Sequence, residues 1–112
     1  MESIKVYNSS LAEINNIETR MSYDLLTINF FKLDGISKED IIITLSNVLA
    51  RRKQTVIDTS QINKIEKKMF FDVLTIELNS LDEGTREDII RSLTKVLEKR
   101  KQAIIDTLQG AH

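Results

Sequence analysis

At 112 residues, 41% hydrophobic and 29% charged, the chain has the balance of a folded protein and the size of one domain, 1–112. A net charge of −1 lacks the basic excess that nucleic-acid binders show, and the absence of cysteine excludes disulfides and thiolate chemistry. No apolar run approaches the roughly 18 residues of a membrane span and no leader pattern follows Met1, so the expected location is the cytoplasm.

Residues 17–59 align with 65–107 without a gap, 48 positions apart, and 22 of the 43 positions are identical, so the chain carries an internal duplication. Proline is absent and glycine occurs three times, which favours long helices. The expected fold class is all-α, a four-helix bundle of two tandem helical hairpins, 10–59 and 60–109, behind an extended arm over 1–9.

In chain order, Ile4 and Val6 alternate with polar neighbours, which predicts the extended arm. The first helix has a capping signature at Ser10 and Glu13, followed by Leu11, Ile14, Ile17, Met21, Leu25 and Ile28 at helical spacing. Ile62, Ile65, Met69, Val73 and Ile76 answer it in the second copy, behind a possible cap at Ser60. A strand is the rival reading, because Leu26, Ile28, Phe30 and Leu74, Ile76, Leu78 also alternate. As helices, both segments would be apolar on two sides, with Tyr23, Leu26, Phe30 and Leu33 opposite Met21, Leu25 and Ile28, which predicts a central position for them. Short connections around Gly35 and Gly84 lead to second helices capped by Ser37 and Thr85. These carry one apolar stripe each, Ile41, Leu45, Val48, Leu49 and Ile89, Leu93, Val96, Leu97.

Polar residues that recur in both copies suggest an ion pair within each hairpin, Asp24 with Arg52 and Asp72 with Arg100. Glu18 and Glu66, level with Lys53 and Lys101, are competing partners, and a polar ligand pocket is the alternative use of these groups. Two basic clusters, Arg51, Arg52, Lys53 and Lys99, Arg100, Lys101, with Lys64, Lys67 and Lys68 nearby, could contact phosphate or nucleic acid; solvated charge at helix ends is the plainer reading. Where the copies differ, Phe31, Ile36 and Ile43 stand against Asn79, Gly84 and Arg91, so the candidate partner-binding residues are Phe31, Ile36 and Ile43. Coverage of that surface by Ile4, Val6 and Tyr7 is the intramolecular alternative.

No spacing of metal ligands, nucleophile and base, or phosphate-loop glycines appears, and the single histidine, His112, is terminal and reads as an unstructured end. Neither an enzyme nor a cofactor or metal is expected. The expected function is a small protein-interaction or regulatory protein of the inhibitor or adaptor type, docking an apolar surface on a larger protein. The alternatives are a nucleic-acid-binding regulator using the basic clusters and a structural homo-oligomer, and no membrane partner is expected.

Overall fold

The computed structural model describes residues 4–110. The elements run α1 (Ile4–Arg20), β1 (Leu25–Asn29), α2 (Gly35–Lys53), α3 (Ser60–Lys68), β2 (Val73–Glu77) and α4 (Glu83–Gly110), and a single 3-10 turn follows each strand, Phe30–Lys32 and Leu78–Ser80. The protein is mostly helical with a small two-stranded sheet, so it is not strictly all-α. Among the described residues no helix is long and apolar enough to cross a membrane.

The strands replace what helical spacing predicted as the second halves of the first helices. Leu-Leu-Thr-Ile-Asn and Val-Leu-Thr-Ile-Glu mix β-branched residues with strict alternation. Leu26, Ile28, Leu74 and Ile76 are all fully buried, while Leu25 and Val73, which the helical stripe would bury, are exposed. Two-sided apolarity was therefore the trace of a period of two. An isolated pair of strands is marginal in water, and this one is stabilised because its inner face packs into the helical core with Ile14, Ile17, Leu45, Leu93 and Leu97.

β1 and β2 are antiparallel, with Thr27 opposite Thr75 at the centre and Leu26 opposite Ile76 and Ile28 opposite Leu74 on either side. Positions 27 and 75 are also 48 apart, so the pairing joins each segment to its own sequence counterpart. Beyond the strands the ladder continues, with Phe30 N–H donating to the Asp72 carbonyl at 2.8 Å and Leu78 N–H to the Asp24 carbonyl at 2.7 Å. Hydrogen-bonded pairs thus fall at 24, 26, 28 and 30, and residues 25, 27 and 29 turn their amides and carbonyls to the free edge.

This pairing changes which helices meet. The helices of one copy are joined through a strand and not by the short turn of a hairpin; α1 lies against α4, α3 against α2, and α2 and α4 run along each other. The expected hairpins 10–59 and 60–109 are accordingly not the packing units. The molecule is 53 × 22 × 22 Å, and α4, at 28 residues and about 1.5 Å per residue, spans most of its length.

Two further expectations change. Over 4–9 the predicted arm is the first turns of α1, with Tyr7 and Leu11 packed on the core, while residues 1–3 and His112 lie outside the described residues. Ser37 and Thr85 are not the caps: Asp34 and Asp82 precede the helices and accept from the Ser37 and Thr85 amides at 2.9 and 3.0 Å, so the hydroxyls are free for other partners. Ser60 likewise begins α3 without capping it, and Asp58 accepts from its amide at 2.9 Å.

Strand and helix assign different weights to adjacent leucines. Leu26→Ala should cost about 2–5 kcal/mol by opening a core cavity, whereas Leu25→Ala should change stability by about 0.5 kcal/mol or less. Urea denaturation of the two variants measures both, and a costly Leu25 with a tolerant Leu26 would restore the helix.

Candidate interaction surface

The most buried polar cluster ties the start of α2 to α1 and α4. Ser10 donates its hydroxyl to Asp34 Oδ2 at 2.6 Å and accepts from the Asp34 amide at 2.8 Å. The Ser37 hydroxyl donates to the same oxygen at 2.7 Å and itself accepts from Arg100 Nε at 2.9 Å, while Arg100 Nη2 reaches Asp34 Oδ1 at 3.5 Å. The Asp34 and Arg100 side chains are 1% and 10% exposed. Burial pushes the Asp34 carboxyl up, but the Ser10 and Ser37 hydroxyls, the Ser37 amide and Arg100 together hold it below its ordinary value.

The counterpart in the second half is open. Arg52 donates from Nε to Thr85 Oγ1 at 3.2 Å and from Nη2 to Asp82 Oδ2 at 3.4 Å, with the Asp82 side chain 47% exposed. Hydrogen bonding from Thr85 and the nearby Arg52 keep Asp82 below its ordinary value. Position 58, which aligns with Ser10, is an exposed aspartate and adds no hydroxyl to this group.

The ion pairs Asp24–Arg52 and Asp72–Arg100 expected from the sequence are therefore not the ones formed. The strands carry Asp24 and Asp72 to exposed positions at the sheet ends, where their carbonyls serve the ladder, and the arginines take Asp82 and Asp34 across the copies. Lys53 pairs with Glu66 at 2.6 Å and Lys101 with Glu18 at 2.5 Å, again across the copies. Arg51 holds Asp88 through two bonds, at 3.1 and 2.8 Å, and Arg91 reaches the same carboxylate at 3.4 Å. The hydrogen bond from Arg51 lowers Asp88. Of the six basic residues expected to contact phosphate, five have acidic partners within the chain, and Lys99 is the exposed exception among the described residues.

Phe31, Ile36 and Ile43 are all exposed, and Ile4 and Val6 are exposed as well and do not cover them. Two of the three copy differences have local causes in the second half. A Cβ at Gly84 would come within 2.6 Å of Arg52 Nη2, so glycine there makes room for the arginine, and Arg91 serves Asp88. Phe31 has no such account, and it is not alone. Phe70 and Phe71, which sequence reasoning assigned no surface role, flank the same end of the sheet, because Phe30 bonds to Asp72 there. Phe31, Phe70 and Phe71 are 64%, 85% and 59% exposed, and Val73 beside them is also exposed. At the opposite end the aligned residues are Asn79, Ser22, Tyr23 and Leu25. The signal available in the sequence was the Ser22–Phe70 difference.

No protein-family model matches the chain, and no curated protein or solved structure shows significant similarity to it.

The two arginines should differ in weight. Arg100→Ala leaves a buried carboxylate without its cation and should cost about 3–5 kcal/mol, while Arg52→Ala should cost roughly 1 kcal/mol or less, both by urea denaturation. Asp34, Asp82 and Asp88 titrate below ordinary carboxylates in the folded chain, so below about pH 4 the unfolded state takes up protons first. Their stabilisation is complete above that pH and is lost as the pH falls through the lowered values. Thermal melts should show this fall, and Asp34→Asn, less stable at neutral pH, should show a shallower one.

Proposed function

We propose that the protein is a non-enzymatic interaction module, built as two interlocked copies of one repeat, that docks another protein through the phenylalanine-rich end of its sheet. The observation that carries this reading is the concentration of three of the four phenylalanines, Phe31, Phe70 and Phe71, at one exposed end. Single exposed apolar residues are ordinary, but three phenylalanines at one end, where the other end has Asn79, Ser22 and a single aromatic, Tyr23, favour a contact surface. The fold does not need apolar groups at 31 and 70, since Asn79 and Ser22 occupy the aligned places in the other half. Ile36 and Ile43, seven residues apart and so on one face of α2, extend the apolar character of the first half.

Nucleic acid is the weaker alternative because the basic clusters are largely neutralised by Glu18, Asp34, Glu66, Asp82 and Asp88. Self-association through the same aromatic end remains within the reading, with a second copy as the partner.

A Phe31→Ser, Phe71→Ser double variant should keep its fold, changing stability by about 1 kcal/mol or less because both sites are exposed. In affinity capture from the native cell, a protein bound by the wild-type chain at low and high salt should be lost from this variant, and sedimentation of the purified chain identifies a second copy as that protein. Capture that ignores the variant, or that collapses with salt and releases nucleic acid, contradicts the proposal.

A further inference from the structure

The free edges of the two strands are treated differently. On the β1 edge, the buried Glu13 accepts from the Asn29 amide at 2.9 Å, and Arg20 donates to Glu13 at 3.3 Å and to the Thr27 carbonyl at 2.9 Å. Asn16 donates to the same carboxylate at 3.5 Å. A carboxylate from α1 thus fills the notch between helix and strand edge, held by a backbone amide, a guanidinium and a side-chain amide.

On the β2 edge the aligned positions are Gln61 for Glu13, Lys64 for Asn16, Lys68 for Arg20 and Glu77 for Asn29. The carboxylate has been replaced by a neutral amide, and the cations have increased from one to two. The space between α3 and β2 is a cavity of about 120 Å³ lined by Gln61, Lys64, Lys68, Thr75, Glu77 and Ser80, with Ile65 behind them. A single water needs about 10–15 Å³ of such space, so there is ample room for a group the size of a carboxylate. The Ser80 hydroxyl donates to the Glu77 carbonyl at 2.7 Å and contacts Gln61 Oε1 at 3.4 Å, which fixes one wall. By the ladder's register the Glu77 amide points to this edge, as the Asn29 amide points to the other. Two lysines against the single Glu77 carboxylate leave the notch net positive.

We propose that this notch is a carboxylate-binding site, in which a carboxylate from outside takes the place that Glu13 occupies in the first half. It would accept from the Glu77 amide and from Lys64 and Lys68. The carboxylate belongs either to a small free acid or to an acidic side chain of a protein. The Glu77 amide, opposite Leu25, lies at the other end of the strand from the phenylalanines, which lie beyond Asn29 and Val73.

The test is an amide-resolved NMR titration of the full chain with sodium acetate, and in parallel with glutamate blocked at both termini, against matched sodium chloride. A saturable shift of the Glu77 amide is expected, weakened about tenfold or more in Lys68→Ala, as for loss of one charge-assisted bond. Tighter binding of acetate assigns a free acid, and tighter binding of the blocked glutamate assigns a protein side chain. Gln61→Glu installs the internal carboxylate of the first half, so it should abolish the shift and raise the melting temperature; Phe71→Ser should leave binding unchanged. Absence of saturation with both carboxylates, unchanged affinity in Lys68→Ala, or binding of phosphate alone overturns the assignment.

Discussion

Everything else in the molecule depends on the pairing of residues 25–29 with 73–77. Because the register centres on Thr27 and Thr75, which are counterparts in the repeat, each strand can pair only by bringing the two copies together head to tail. The buried inner face, Leu26, Ile28, Leu74 and Ile76, then fixes the register, since a slip of either strand by one residue would turn its own buried pair outward and bring Leu25 and Thr27, or Val73 and Thr75, to the core. Once the strands are paired, the helix after each strand is led away from the helix before it, and α1 meets α4 while α3 meets α2. The interlocking follows from the sheet.

Polar groups reinforce the same arrangement unequally. Asp34 with Ser10, Ser37 and Arg100 is a closed network across three helices, in which four donors reach one carboxylate. A buried charge is tolerable when its lone pairs are satisfied, and removing a single partner exposes the desolvation cost. Asp82 with Thr85 and Arg52 does the same work half in solvent, because α3 begins at Ser60 and supplies nothing like the first turns of α1. One half of the molecule is therefore closed and the other open. Both the notch at the β2 edge and the room that Gly84 leaves for Arg52 belong to the open half.

The stripes of α2 and α4 and most of the core were legible in the sequence, because Ile41, Leu45, Leu49 and Ile89, Leu93, Leu97 have an unambiguous helical period. The strands were not, because Met21, Leu25 and Ile28 satisfy a helical spacing by coincidence with alternation. Only tertiary pairing decides between the two. That one misassignment carried the ion pairs with it: placing Asp24 inside a helix set it near Arg52, when the cap residues Asp82 and Asp34 were the acids that α2 and α4 bring to the arginines. The aromatic end was half legible. Phe31 stood out against Asn79, but Phe70 and Phe71 join it only through the antiparallel ladder, which no local pattern reveals. The carboxylate notch depends on Glu13 and Gln61, which lie just before the aligned blocks 17–59 and 65–107 respectively and so outside the stretch where the copies match strongly.

A symmetric duplication gives a scaffold, and departures from symmetry give it distinct ends: phenylalanines at one end of the sheet, a cationic notch on one of its edges. Both features take their position from the strand pairing, so that pairing is the claim to test first. Residues 27 and 75 form a non-hydrogen-bonded antiparallel pair, whose α-protons lie close together across the strands. A strong Hα–Hα NOE between Thr27 and Thr75 in isotopically labelled full-length protein is the predicted result. Continuous sequential amide–amide NOEs through 25–29 and 73–77, with no cross-strand contact, would instead show helices there and contradict the interlocked fold.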